Sequence, residues 1–266
     1  MNLNLLNVVS YEVIYAHLLK NSHEKDFMEY QELEDDDANF VEKYNVSCEH
    51  SEENEDLIQK LVKLESSLNK KELSYNIDIG YFKSFISSKH LYNPLLFKEQ
   101  KKIKISPIEL NDGEMKFVED LELYLGLEKS VEKYKNSEIF LLRNRSKIGV
   151  GFFEDGGFYP DFIMWILKDS KQYINFIDPK GIRNLDLYKN KKINFYKSIK
   201  EKEQYIGDEN TVLNSFIISN TPYSELVNIQ EYTTKIELEN KNVLFQKDDK
   251  NNYIGKMFSK ILGVEK

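Results

Sequence analysis

Apolar residues in the second half of the chain follow a helical spacing, then a strand-like spacing, then both again. An amphipathic helix is predicted over residues 113–126, and Asp112 is a candidate for its N-cap. Short apolar runs of strand length follow at residues 138–142, 149–153, 161–167, 172–177 and 212–219. A second helix, residues 190–206, separates the last two runs. This order predicts an α/β domain with a mixed central sheet that helices cover on both sides.

The first hundred residues have a different pattern. Residues 1–30 and 56–73 carry leucines and valines at helical spacing, whereas the acidic stretches within residues 31–56 are typical of exposed loop or disorder. Prolines within residues 90–97 and 102–110 favour extended or irregular backbone. We therefore expect this region to be a mostly helical extension of the domain.

The C-terminal part of the chain gives weak and mixed signals, and no internal repeat is present. The patterns divide the chain into three segments: a mostly helical N-terminal region with acidic loops at about 31–56 (residues 1–100), the α/β domain (residues 101–222) and a C-terminal appendix (residues 223–266).

The net charge of -8 is unevenly distributed. Residues 1–110 hold 13 basic and 20 acidic side chains, whereas residues 111–266 hold 24 and 25. Neither half has the basic excess of a protein that binds nucleic acid unaided, so DNA binding would need a local basic cleft, a metal ion or a partner. A single cysteine, no run of ~18 apolar residues and no secretion signal lead us to expect a cytoplasmic protein without membrane contact.

Two acids lie at the ends of neighbouring apolar runs. Asp161 opens the run in FYPDFIMWIL, and Asp178 closes the run in QYINFIDPKG. If the two runs pair as an antiparallel hairpin around KDSK, both carboxylates lie at the same end of the hairpin. Two adjacent carboxylates repel unless a proton or a cation lies between them, and Mg²⁺ prefers oxygen ligands of this kind. Lys180 projects to the same side as Asp178, where an ammonium can stabilise a phosphate oxyanion or orient a water.

An ordinary explanation competes with the metal site. Charged ends of a hairpin also meet solvent and form surface ion pairs, and Asp-x-Lys occurs elsewhere in the chain, for example at Asp169-Ser-Lys171. The lysines that open the second helix, Lys191 and Lys192, either mark a solvated helix face or contact DNA. On these residues alone, both interpretations stay open.

The order of motifs adds a resemblance. Glu114 in the first helix, FYPDF at 158–162 and FIDPKG at 176–181 resemble the PD-(D/E)xK nuclease superfamily. Together with LLRN at 141–144, they look most like the C-terminal endonuclease region of type III restriction enzymes, in the version found in DEAD/DEAH-type helicase–nuclease polypeptides. The resemblance covers roughly residues 90–220. It implies a restriction-endonuclease-like αβββαβ core and a Mg²⁺-dependent DNA endonuclease of a restriction or antiviral defence system, with Mn²⁺ as an alternative metal.

The resemblance also implies roles for individual residues. Asp161, Asp178 and the Pro179 carbonyl would bind the metal, Glu114 would bind it directly or through water, and Lys180 would position the attacking water. Four residues near the site are candidate DNA contacts: Arg143, Asn144, Lys147 and Arg183.

Two departures from the family pattern change the expectation. The third motif carries Asp178 where type III enzymes usually have Glu, and Pro179 removes a strand donor, which suggests a bulge or an unpaired edge.

The sequence contains no phosphate-binding G-x-x-x-x-G-K-[ST] loop. The expected partner is therefore a separate helicase or translocase, or another defence protein, and a homodimer stays open. The alternative function is a non-catalytic nuclease-fold module that assembles a helicase-containing complex.

Overall fold

The computed structural model describes residues 45–48, 77–78, 82–85, 95–98 and 103–106 as strands, together with most of residues 51–62, 110–144, 152, 159–182, 191–226 and 233–263. The segment predicted as a helix over residues 56–73 is helical where it is described, at residues 56, 58–60 and 62. Residues 63–73, the helix predicted within residues 1–30 and the acidic residues 31–44 lie outside the described residues.

The described part of the N-terminal region consists mainly of short strands. β1 (Asn45–Cys48) pairs antiparallel with β5 (Ile103–Ser106). A three-stranded antiparallel sheet contains β2 (Ile77–Asp78), β3 (Phe82–Phe85) and β4 (Leu95–Lys98). The prediction of a mostly helical extension is therefore wrong for these stretches. The two proline-containing segments do contain extended backbone, because β4 and β5 lie within them.

The helices and strands of the α/β domain follow the predicted order between residues 112 and 219, apart from one additional short helix, whereas those after residue 222 were not predicted. Of the predicted strand at residues 149–153, only Phe152 lies among the described residues. In chain order, the helices and strands are α1 (Asp112–Gly126), α2 (Glu128–Lys133), β6 (Glu138–Arg143), β7 (Phe162–Lys168), β8 (Lys171–Lys180), α3 (Lys191–Ile206), β9 (Thr211–Ser219), α4 (Lys235–Asn240), β10 (Val243–Phe245), α5 (Gln246–Asp249) and α6 (Asn252–Leu262). Among the described residues, no helix is both long and apolar enough to cross a membrane.

Five strands form one mixed sheet in the order β10-β9-β8-β7-β6. β6, β7 and β8 are antiparallel neighbours, whereas β8, β9 and β10 run parallel to one another. The hairpin between β7 and β8 turns at Asp169 and Ser170, whose φ angles of 52° and 64° are those of a two-residue type I′ turn. The predicted turn at KDSK is thus confirmed.

Helices cover both faces of this sheet. Alternate residues of β7 point to opposite sides: Phe162 and Met164 pack with Phe117 of α1, whereas Trp165 packs with Phe195 of α3. Because both faces are apolar, the central strands are buried on both sides, as their continuous apolar runs predict. α1 and α3 therefore lie on opposite sides of the sheet.

The segment after residue 222, which the sequence set apart as an appendix, contributes to the domain. β10 extends the sheet beside β9, and α6 buries Tyr253, Met257 and Phe258 in the same core as α1. The helix that opens the domain also differs in detail from its prediction. The N-cap of α1 is Asn111 rather than Asp112, because the Asn111 side chain accepts from the Glu114 amide.

Candidate active site

Asp161 and Asp178 lie opposite each other at the open end of the β7–β8 hairpin. The ladder between the two strands ends with Phe162 opposite Ile177, and continuing this register by one position pairs Asp161 with Asp178. The two-residue turn fixes the register, and the buried apolar residues of both strands hold it. The hairpin therefore brings two acids that are far apart in sequence into contact.

Burial and mutual repulsion act on this carboxylate pair. The Asp161 side chain is 28% exposed and the Asp178 side chain 7% exposed. Burial first, and then the hydrogen bond and charge of Asp178, raise the pKa of Asp161 to about 8. A proton or a cation must therefore lie between the two carboxylates near neutral pH.

Lys180 supplies one positive charge next to this pair. Its Nζ lies 3.1 Å from Oδ2 of Asp178. The same Oδ2 atom is buried and makes no hydrogen bond, so the contact with Lys180 is an ion pair without hydrogen-bond alignment. Asp178 thus keeps a buried acceptor that a further cation or donor could satisfy.

Pro179 lies where β8 extends beyond β7. On the other side of β8, the parallel register with β9 continues without a bulge through Asp178, Pro179 and Lys180. The pairing with β7 stops at Ile177. The expected bulge is therefore absent from this stretch of β8, and the alternative of a partly unpaired edge is confirmed. A proline is tolerated there because its missing N–H removes no ladder bond on the β7 side.

Glu114 lies at the third position of α1, where both of its carboxylate oxygens are engaged. Oε2 accepts from the backbone N–H of Asn111, which completes a capping box, and Oε1 accepts from Arg143. The side chain is 4% exposed, and burial raises its pKa despite the opposing effects of Arg143 and Asn111. Glu114 thus lies near the aspartates, and Arg143 connects its carboxylate to Asp161.

Arg143 connects α1 to the carboxylate pair. Its Nη2 lies 2.9 Å from Oε1 of Glu114, and its Nη1 lies 2.8 Å from the main-chain oxygen and 3.3 Å from Oδ1 of Asp161. The guanidinium also stacks over the ring of Phe162, 5.1 Å from its centroid. One cation therefore bridges two of the three acids.

Asn144 holds the backbone immediately before β7. Its backbone N–H donates to the main-chain oxygen of Asp161 at 2.8 Å, and its buried Nδ2 donates to the oxygen of Pro160 at 2.7 Å. Arg143 and Asn144 were predicted as DNA contacts, but their contacts described above are within the protein. The other two predicted DNA contacts, Lys147 and Arg183, lie outside the described residues.

Lys192 is a site residue that the sequence indicated only weakly. It lies in the first turn of α3 and is half-buried. Burial first, and then the charge of the adjacent Lys180, lower its pKa, while Asp178 and Asp161 oppose the shift. The only sequence signal was its position at the start of a helix after the third motif. Two lysines thus flank the carboxylate pair on the α3 side.

The donors fit a hard divalent cation at Asp161 and Asp178. Paired carboxylate oxygens suit Mg²⁺ or Mn²⁺, and the buried Oδ2 of Asp178 lacks a hydrogen bond. Across the described residues, no group of three or more His, Cys, Asp or Glu side chains is arranged to hold a metal. Glu114, the third acid nearby, is paired with Arg143. The fit therefore rests on two carboxylates, with the Pro179 carbonyl as a further candidate ligand.

Comparison of the chain with family models, curated proteins and solved structures gives no significant match.

Proposed function

We propose that this chain is a Mg²⁺-dependent DNA endonuclease of a restriction or phage-defence system. The observation that supports this proposal best is the pair Asp161 and Asp178, opposite each other and beside Lys180, at the open end of the hairpin. This end of the hairpin carries side chains that metal-dependent hydrolysis of a phosphodiester can use: carboxylates for a cation and an ammonium for a water or phosphate oxygen.

Each residue has a distinct part in this proposal. Asp161 and Asp178 hold the cation, with Mn²⁺ as an alternative to Mg²⁺. When bound, such a cation supplies positive charge that offsets the charge developing on the phosphate. Lys180, 3.1 Å from Asp178, donates to the attacking water or to a phosphate oxygen. Asn144 and Arg143 hold Asp161 by its main-chain oxygen, so that the carboxylate stays in register with Asp178.

DNA as the substrate, and the defence role, rest on the resemblance of FYPDF and FIDPKG to type III restriction endonuclease regions. The near-neutral charge of residues 111–266 favours a partner that delivers the DNA, and a helicase or translocase fits this role.

Plasmid cleavage with Mg²⁺ or Mn²⁺, with and without a helicase partner, tests this function. Asp161→Ala, Asp178→Asn and Lys180→Ala should each abolish cleavage. The chain offers a matched control at the other end of the same hairpin, because Asp169 and Lys171 have the same Asp-x-Lys spacing but are exposed at the turn. Asp169→Asn and Lys171→Ala should cleave like the parent protein. If Asp161→Ala and Lys180→Ala also cleave like the parent, the proposal is wrong.

One observation favours the alternative of a non-catalytic assembly module. Arg143 forms ion pairs with both Glu114 and Asp161 within the described structure, as a purely structural ion-pair network would. The two functions differ in their response to metal. A nuclease site should show a rise in melting temperature with Mg²⁺ that Asp178→Asn removes, whereas a scaffold should show none.

A further inference from the structure

Each oxygen of the Glu114 carboxylate already accepts a hydrogen bond. Oε1 accepts from Arg143 at 2.9 Å and Oε2 accepts from the Asn111 amide at 3.1 Å. The side chain is nearly fully buried between these two donors. A metal that bound Glu114 directly would have to fit beside these donors in a nearly fully buried place, next to the positive charge of Arg143.

Arg143 is held equally firmly. Its guanidinium contacts Glu114 on one side and both the main-chain oxygen and the carboxylate of Asp161 on the other. The guanidinium packs over the ring of Phe162, which is fully buried. Its side chain is only 11% exposed, so water competes weakly for these contacts.

We propose that Glu114 and Arg143 form a positioning pair that fixes Asp161, and that Glu114 does not ligate the metal. Glu114 orients Arg143, and Arg143 holds the backbone and carboxylate of Asp161 opposite Asp178. This inference rests on the proposed function only where it concerns the metal, because the pair itself exists without one. The resemblance implies that Glu114 binds the metal directly or through water. In this proposal, Glu114 instead contacts Arg143, which in turn contacts the metal ligand Asp161.

The reassignment has a thermodynamic consequence. If Glu114 acts on the metal mainly through Arg143, its substitution should have little effect once Arg143 is removed, whereas a direct ligand should keep a large effect in the Arg143→Gln background. The dissociation constant of Mn²⁺, measured by electron paramagnetic resonance, therefore separates the two roles without any assay of DNA cleavage.

The experiment compares the parent protein with Glu114→Gln, Arg143→Gln and the double variant. We expect Glu114→Gln to change Mn²⁺ affinity by less than about twofold in the Arg143→Gln background, whatever its effect in the parent. A loss of about tenfold or more in both backgrounds would show that Glu114 is a ligand and would overturn the proposal. If Arg143→Gln does not fold, Arg143→Met retains the apolar stem over Phe162 and replaces it in the same comparison.

A metal-free measurement keeps the outcome independent of the nuclease proposal. If the parent protein and Asp178→Asn bind Mn²⁺ equally, the proposed metal site fails, but the positioning pair is still tested by urea unfolding of the same four proteins in EDTA. We expect Glu114→Gln to lower the free energy of unfolding clearly less in the Arg143→Gln variant than in the parent protein, because the two residues contact each other. Additive losses would show that the pair does not act as a unit.

Discussion

Asp161 lies opposite Asp178, one register position beyond the last paired residues of β7 and β8. Both acids lie on the face of the sheet that α3 covers, because Asp161 is two residues before Ile163 and Asp178 is two residues after Phe176, which pack on that face. The structure around this pair leads to predictions about the proton on Asp161, the backbone before β7, Lys192 of α3 and the packing of α6.

The first prediction concerns pH. The pKa of Asp161 is raised from 3.8 to about 8, mainly by burial and then by Asp178. Between these two values, the folded protein keeps a proton that the unfolded chain has released, so the free energy of unfolding from this group falls as pH rises through the window. A cation competes with that proton, so Mg²⁺ should raise the melting temperature more at pH 8.5 than at pH 5.5.

Thermal unfolding in EDTA and in Mg²⁺ across this pH range measures both effects. Asp161→Asn is the control, because it removes the titrating group and should flatten the pH dependence of the Mg²⁺ effect. A Mg²⁺ effect that is larger at pH 5.5 than at pH 8.5 would contradict the assignment of the cation to this pair.

The second prediction concerns Asn144, whose buried Nδ2 donates to the Pro160 oxygen. Asn144→Ala leaves that oxygen without its donor and should lower the free energy of unfolding by about 1–3 kcal/mol, measured by urea denaturation. Asn210→Ala at an exposed turn serves as a comparison for the loss of an asparagine amide. Equal effects of the two substitutions would mean that the Asn144 side chain does not hold the backbone at Pro160.

The third prediction concerns Lys192. Its position beside Lys180 makes it a second phosphate contact if the chain binds DNA, so Lys192→Ala should weaken DNA binding and reduce the slope of log affinity against log salt concentration by about 1. Lys197, which is exposed on the same helix, provides the control Lys197→Ala. Fluorescence anisotropy with labelled DNA measures both slopes, and identical slopes for the two variants would remove Lys192 from the interface.

The fourth prediction concerns the C-terminal segment. Phe258 of α6 is fully buried and its ring lies 5.3 Å from that of Tyr124 and 5.0 Å from that of Tyr134. Phe258→Ala should destabilise the whole domain by about 3–5 kcal/mol in urea unfolding, since it opens a cavity against α1 and α2. Ile236→Ala, on the exposed surface of α4, should change stability by at most about 0.5 kcal/mol. A small effect of Phe258→Ala would show that α6 is dispensable for the core.

The sequence allowed Asp161 and Asp178 to be placed, but not the arginine that links Glu114 to Asp161. Asp161 and Asp178 terminate apolar runs, and a local pattern with a turn signal determines which residues of a hairpin face each other. The link from Glu114 through Arg143 joins residues 29 positions apart, and such ion pairs leave no periodic trace in a sequence. The cap of α1 was misplaced by one residue for a related reason: Asn111 and Asp112 are both good capping residues, and only backbone geometry distinguishes them.

The C-terminal strand was beyond prediction for a different reason. β10 is only three residues long, and its partner β9 is parallel, so neither strand length nor a connecting turn indicates the pairing. The strands of residues 77–98 are also short, with two to four residues each, and their apolar residues are too few to distinguish a period of two from a helical one.

The most direct measurement for the central claim is anomalous diffraction from crystals of the protein grown with Mn²⁺. We expect an anomalous peak about 2.0–2.6 Å from carboxylate oxygens of both Asp161 and Asp178, with Glu114 still paired to Arg143. A saturating concentration of Mn²⁺ that leaves no peak between these two carboxylates would contradict it.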